Sequence, residues 1–301
     1  MIFNKNEEMI KANRVFRILF GSVDWVDLIL LILNSGIGLA ITHYLGYEIN
    51  WIYSIFFIFW IMFFYLGNEF LGFYKNQDFS EKDITFRHLF TNSHQLLAVL
   101  FFSLSLIPLI QILILSFSNY LTVYIICILA LWLLLKNFLE RRIKIFGFTE
   151  SISSFMISFI TPLIALNING IQIHEILLPI AFFSFLQIIA FKLFRVINEI
   201  FEGAKKAEFT LTYIGPHTIL RTIAFMIPFG YFSCLFLLFL QSNNQLFQPL
   251  LFTSPLAIYF VIKISQISEE QRENVKTSKP ISLIFVFFVE VIWIIELWIK
   301  K

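Results

Sequence analysis

Charged residues are scarce in this chain: Asp, Glu, Lys and Arg make up only 14% of its 301 residues. A soluble domain carries about 25% of such residues. The hydrophobic share is 58% and the mean hydropathy is +0.81. This is more apolar surface than one globular core can cover, so lipid must act as a second solvent. The scarcity of charge therefore excludes an ordinary soluble globular protein.

Cysteine is nearly missing as well. Cys127 and Cys234 each lie within an apolar run, without a neighbouring Cys or His at metal-ligand spacing. Cysteines in such surroundings behave as small buried hydrophobic residues. The net charge is only +2, which lacks the basic excess that a nucleic-acid-binding protein shows. We therefore expect no disulfide, no cysteine metal site and no nucleic-acid partner.

What the chain has in abundance is apolar sequence in long runs. A helix needs about 17 to 25 residues to cross a bilayer, and nine runs approach that length. They are Val23 to Leu45, Trp51 to Tyr74, Leu96 to Phe117, Tyr120 to Leu135, Ser151 to Leu166, Ile176 to Val196, Ile219 to Leu240, Phe247 to Ile264 and Ile281 to Ile299. We predict an all-α polytopic membrane bundle of about nine transmembrane helices around a central cavity. It forms one domain over 1–301, with an N-terminal segment at 1–22 and cap loops at 75–95 and 197–218.

The basic residues fall in alternate connections between these runs. All Lys and Arg residues except Lys300 and Lys301 lie in the N-terminal segment or around the connections after the second, fourth, sixth and eighth runs. We call this side the basic face. Basic residues collect on the cytoplasmic side of membrane proteins. The pattern therefore predicts a multi-pass protein of the cell (inner) membrane, with its N-terminus in the cytoplasm and its C-terminus outside.

Two polar segments leave apolar runs at the basic face. In the first, Glu69, Gly72 and Asn76 would share one face of a continued helix. In the second, polar residues cluster on one side of a continued helix: Arg195, Asn198, Glu199, Glu202 and Lys206. A carboxylate near the end of an apolar run is costly unless it finds water, a cation or a basic partner. Either these acids extend to the membrane interface or pair with a nearby Lys or Arg, or they face each other and hold a hard cation through oxygen ligands.

Three stretches carry a resemblance to a known family. Asn68-Glu69-x-x-Gly72-x-x-x-Asn76 is similar to an NDxxDxxxD motif, and Glu199-x-x-x-Gly203 is similar to a DxxxD motif. Arg142-Ile143-Lys144 is similar to a basic Arg-Leu-Lys stretch. These stretches follow the second, sixth and fourth predicted helices, respectively, and their arrangement resembles that of the UbiA superfamily of intramembrane prenyltransferases. The chain departs from the family where its aspartates are replaced by Glu, Gly and Asn.

The resemblance implies transfer of a prenyl group from an isoprenyl diphosphate to a small hydrophobic acceptor, such as an aromatic quinone precursor, within the bilayer. In the family, carboxylates bind Mg²⁺ ions that bridge the diphosphate. Here Glu69 and Glu199 would hold a single Mg²⁺ ion, and no catalytic residue is identified. The residues that would support the metal or diphosphate are Asn68, Asn76, Asp78, Asn198 and Glu202. Those that would bind the diphosphate are Lys75, Arg142, Lys144, Arg195 and Lys205.

Two alternative functions stay open. A non-catalytic relative that binds a lipid would explain the lost aspartates, and a transporter would explain polar residues within the bilayer. A transporter often shows paired hydropathy halves, which nine unequal runs do not display.

Four further polar residues have two interpretations each. Asp24 and Asp27, one turn apart at the start of the first run, either stabilise a helix N-terminus or belong to a substrate site. Glu290 lies in the middle of the ninth run, where a carboxylate is either functional or protonated and hydrogen-bonded between helices. Asn34, followed by Ser35 and Gly36, indicates either close helix packing or a substrate contact.

Overall fold

The computed structural model describes residues 24–76, 84–115, 120–142, 147–201, 215–267 and 272–300. Within these ranges the side chains of 72–94, 115, 137–142, 199–201, 216, 244, 272–277 and 279 are not described. The described chain forms helices without strands. We number them α1 (Trp25–Tyr44), α2 (Trp51–Asn76), α3 (Ile84–Leu115), α4 (Tyr120–Arg142), α5 (Phe148–Ile168), α6 (Leu177–Phe201), α7 (Pro216–Leu240), α8 (Gln248–Ser265) and α9 (Arg272–Ile299).

Each of the nine predicted apolar runs coincides with one of these helices, which confirms the predicted all-α membrane bundle. In the described chain, eight helices are long and apolar enough to cross a membrane. The exception is α4, whose apolar part, Tyr120–Lys136, is shorter and extends over about 25 Å as a helix. It ends at a lysine that points into the bundle.

The helix ends meet at two faces of the bundle. At one face, Arg195 of α6 pairs with Asp24 at the start of α1. At the other, Trp298 of α9 stacks on His43 of α1 and on Trp51 of α2, with ring centroids 4.3 and 6.0 Å apart. These contacts agree with the alternating connections that the sequence predicts. That the basic face is cytoplasmic stays a prediction.

Helix α5 is interrupted in its middle. A π-helical turn, Met156–Ile160, separates two α-helical parts, and Thr161 Oγ1 donates a hydrogen bond to the carbonyl of Met156 at 3.0 Å. The interruption precedes Pro162, which has no N–H to donate and whose ring disfavours a regular α-helical turn before it. The wider turn places the Pro162 backbone directly against α1.

The closest approach of α1 and α5 lies at Gly38. A Cβ atom added there would lie 2.5 Å from the Pro162 carbonyl oxygen and 2.7 Å from the Ala165 Cβ. Small residues allow helix backbones to approach this closely in membranes. The residue that allows this approach of α1 and α5 is Gly38, whereas Gly36, where close packing was expected, faces the Ile294 side chain of α9.

We expect Gly38→Ala to lower the free energy of unfolding by about 1–3 kcal/mol, the usual cost of overpacking a tight interior. The backbone of α5 cannot move aside as a side chain can. Unfolding of the purified protein in detergent measures the change. Gly36→Ala is the matched control, because its Cβ would meet only the tip of the Ile294 side chain, at 3.0 Å. Equal losses in the two variants would contradict the backbone contact.

Candidate functional site

Three buried charges from three helices meet at the face where α1 begins. The carboxylate of Asp27 on α1 accepts hydrogen bonds from two lysines, one on each oxygen. Lys136 Nζ of α4 lies 2.9 Å from Oδ2, and Lys192 Nζ of α6 lies 2.7 Å from Oδ1. All three residues are at most 8% exposed. Asp27 is thus held between two cations inside the bundle.

Lys136 uses its remaining donors on α2. Its ammonium lies 2.9 Å from the hydroxyl oxygen of Tyr65 and 3.4 Å from Oε1 of Glu69. The Tyr65 hydroxyl in turn donates to the carbonyl of Asp24 at 3.1 Å. An ammonium group carries three donors, and here they are shared among Asp27, Tyr65 and Glu69. The lysine therefore ties α4 to both α1 and α2.

On the α6 side, two basic residues one turn apart make separate contacts. Lys192 Nζ also donates to Ser153 Oγ of α5 at 2.5 Å. Arg195 Nη1 lies 2.6 Å from Asp24 Oδ2, and this pair is partly exposed. The exposed pair marks the outer rim of the site. We refer to Asp24, Asp27, Glu69, Lys136, Lys192 and Arg195 together as the ion-pair cluster.

The ion-pair cluster is costly to build. Removing charges from water costs several kcal/mol per ion, and a buried pair recovers this only with good geometry and further hydrogen bonds. Apolar residues of similar size would stabilise the bundle as well or better. Ionisable groups that are kept inside a membrane protein commonly mark a substrate or ion site. The cluster is therefore the candidate functional site.

Three described side chains of the predicted site face inward, whereas Arg195 lies at the partly exposed rim. Asn68 and Asn198 are each 2% exposed and Glu69 is 9% exposed. Neither the amide nitrogen nor the amide oxygen of Asn198 has a hydrogen-bond partner among the described residues. A buried amide with both groups unused is rare, and such groups mark a place for water, an ion or a ligand.

The pairing of Glu69 with Lys136 agrees with the interpretation in which this acid finds a basic partner. Whether Glu69 also meets Glu199 stays a prediction, because the Glu199 side chain lies outside the described residues. The same holds for the side chains of Asn76, Lys75 and Arg142. The other predicted residues lie in segments that the structure does not describe: Asp78, Lys144, Glu202 and Lys205.

Sequence reasoning assigned Lys136 and Lys192 to the charge of the basic face and not to the site. The signal that could have found Lys192 is its position inside the sixth apolar run, since a lysine there must point to a partner or to water. Asp24 precedes the first residue of α1, but its side chain makes no capping hydrogen bond. Asp24 and Asp27 belong to the ion-pair cluster, and Asp27 also lies in the first turn of α1, so stabilisation of the helix N-terminus and a role in a substrate site both stay predictions.

Whether the described residues hold a Mg²⁺ ion stays a prediction. No three His, Cys, Asp or Glu side chains in the described ranges form a metal-binding group. Mg²⁺ commonly uses only one or two carboxylates together with substrate phosphates and water. Glu69 and the unpartnered amide oxygen of Asn198 are oxygen donors of that kind at this face.

No family model matches the chain, and no curated protein or solved structure matches it significantly. The resemblance to the UbiA superfamily therefore stays a prediction that depends on the motifs alone. The geometry of the ion-pair cluster stands independently of it.

Proposed function

We propose that the chain binds an isoprenyl diphosphate at the basic face and transfers its prenyl group to a small aromatic or quinone-precursor acceptor. The observation that supports this most is the pair of buried lysines, Lys136 and Lys192, held ready by Asp27 inside an apolar bundle. A lipid with an anionic head and a hydrocarbon tail matches both features. We take the basic face to be the cytoplasmic one.

The basic side chains of the cluster suit a diphosphate head group. Ammonium groups bind phosphate oxygens as compact charges, and the Arg195 guanidinium offers a planar fork. An entering diphosphate would replace carboxylate partners of Lys136, Lys192 and Arg195. The tail would remain among apolar side chains, where it loses no hydration.

The proposed reaction places negative charge where the cations lie. When the allylic C–O bond breaks, its electron pair goes to the diphosphate and cationic character develops on the prenyl carbon. The acceptor carbon then forms the new bond and releases a proton. Fixed cations that face the departing diphosphate stabilise its growing charge without reorganisation.

Charge balance indicates what else the site needs. The six members of the ion-pair cluster carry three positive and three negative charges, so a diphosphate requires additional positive charge. One Mg²⁺ ion, held by Glu69 and Glu199, would supply it by neutralising phosphate oxygens. Lys75, Arg142, Lys144 and Lys205 are the further basic residues proposed for this role.

A non-catalytic lipid-binding protein is the second candidate function. It is favoured by the contacts of Asp27 and Glu69, which are both already engaged with lysines. Such a protein would bind the isoprenyl diphosphate without breaking the bond between its prenyl group and its diphosphate group. Binding with no Mg²⁺-dependent product would support this candidate and exclude the transferase.

The test is transfer of label from a prenyl diphosphate to acceptors in membranes that contain the protein. We expect Glu69→Gln to lower the transfer rate by about 100- to 1,000-fold, the usual effect of losing one fixed electrostatic group. Glu296→Gln is the matched control, because Glu296 pairs with Lys300 at the opposite face. Full transfer in both Glu69→Gln and Glu199→Gln would contradict the site assignment.

A further inference from the structure

A second polar cluster lies in the middle of the bundle, away from the ion-pair cluster. It consists of Glu290 on α9, Ser184 on α6 and Asn34 on α1, which are at most 1% exposed. Ser184 Oγ lies 3.2 Å from Asn34 Oδ1 and is also hydrogen-bonded to Glu290 Oε1. Each residue lies well inside its candidate membrane span.

The two clusters share α1 and α6 but occupy different depths. Asn34 follows Asp27 by seven residues, which is about 10.5 Å along a helix, and Ser184 precedes Lys192 by eight residues, or about 12 Å. No described basic residue pairs with Glu290. The third helix packed against α9 is α8, and it contributes apolar side chains such as Phe260 to this core.

The number of hydrogens available for hydrogen bonding indicates the protonation state of the Glu290 carboxyl group. The Ser184 hydroxyl has one proton to donate, yet its oxygen contacts acceptor oxygens on both Asn34 and Glu290. The Asn34 amide nitrogen donates one hydrogen to the carbonyl of Leu30 at 3.0 Å, and the Asn34 side chain also interacts with Glu290. If Glu290 were ionised, one oxygen contact would lack a hydrogen and a negative charge would be buried without a counter-ion.

A proton on Glu290 satisfies every contact in this cluster. The carboxyl O–H donates to Ser184 Oγ, the Ser184 O–H donates to Asn34 Oδ1, and the Asn34 N–H donates to Leu30. The charge that this site accepts is therefore a proton.

We propose that Glu290, Ser184 and Asn34 form an exchangeable proton-binding site in the membrane interior. Glu290 Oε2 has no hydrogen-bond partner among the described residues, which leaves one oxygen free for a water molecule or ligand that exchanges the proton. Gln187, one turn from Ser184 toward the basic face, is also fully buried with its amide oxygen unpartnered. The Gln187 amide nitrogen donates to the carbonyl of Ile227 at 3.4 Å, so this side chain lies against α7.

Infrared spectroscopy of the purified full-length protein tests this site. We expect a carbonyl stretching band of a protonated carboxyl group at neutral pH, shifted after transfer to D₂O and absent from Glu290→Gln. The glutamine amide can still donate to Ser184, so this variant should fold. Ser184→Ala removes the acceptor and is expected to move the band toward that of a carboxyl group without a hydrogen bond.

Glu296→Gln, on the same helix but in contact with Lys300, is the matched control and should leave the band unchanged. Three results would overturn the inference. The first is a spectrum with no protonated carboxyl band that depends on Glu290. The second is a band that disappears when Na⁺ is added, since a cation would then occupy the site. The third is a band that never shifts in D₂O, since the proton would then be inaccessible.

Discussion

Replacing Asp27 by Asn is expected to lower the free energy of unfolding by about 3–5 kcal/mol, the usual cost of removing one partner from a buried ion pair. The substitution keeps the shape of the side chain but leaves the Lys192 ammonium with Ser153 and the new, uncharged amide as its partners among the described residues. Lys136 retains Glu69 and Tyr65, so the larger penalty falls on the α6 side. Denaturant unfolding in detergent measures the loss.

Asp24→Asn is the control for this first variant. Its partner Arg195 has a side chain that is 38% exposed, and exposed ion pairs contribute only about 0–1 kcal/mol. Both substitutions remove one carboxylate near the start of α1, so burial is what separates them. Equal and small losses would show that the lysines reach water and that the cluster is not buried as described.

The double variant Asp27→Leu with Lys192→Met is expected to fold as stably as the natural chain, or more stably, and yet to bind the diphosphate poorly. Apolar residues that replace a whole buried pair are often neutral or stabilising by about 1–4 kcal/mol. Lys136 keeps its pairing with Glu69 at 3.4 Å. The loss of one charged hydrogen-bond donor, about 1.5–3 kcal/mol, should weaken binding of an isoprenyl diphosphate by about 10- to 150-fold.

Comparison with Lys192→Met alone sharpens this second prediction. The single variant should lose both stability and binding, whereas the double variant should regain stability only. Equilibrium binding of a labelled isoprenyl diphosphate and unfolding in detergent supply the two measurements. If the double variant binds as tightly as the natural chain, Lys192 serves the fold and not a ligand.

The fold could be predicted from the sequence because lipid imposes a simple rule. Each long apolar run must satisfy its backbone internally, so it forms a helix, and the alternation of basic connections predicts which ends lie together. The inward direction of Glu69 followed from the cost of a carboxylate in an apolar run. The end of the fourth helix was not predicted correctly, since this helix continues past the predicted end at Leu135 to Arg142.

The partners within the site could not be predicted, because they depend on how the helices rotate against one another. Nothing in the sequence near Asp27 indicates that it meets lysines of α4 and α6, more than a hundred residues away. The close approach of α1 and α5 at Gly38 could not be predicted for a similar reason. It depends on the π-helical turn of α5 before Pro162, which sets where the two backbones touch.

The same limit applies to Glu290. Its position in the ninth run raised two interpretations that sequence periodicity could not separate. The hydrogen bonds around Ser184 place Glu290 between α1, α6 and α9, as the second interpretation requires, whereas a functional role of Glu290 stays a proposal. Side-chain contacts between helices distant in sequence thus supply the information that a single sequence lacks.

The buried lysines Lys136 and Lys192 are proposed to bind an anionic lipid head group. Equilibrium binding to the purified protein of an isoprenyl diphosphate and of the isoprenyl alcohol with the same chain tests this claim most directly. Tight binding of the diphosphate, weak binding of the alcohol, and loss of the difference in the Asp27→Leu, Lys192→Met variant are the predicted results. Equal affinity of the natural chain for both molecules would contradict the claim.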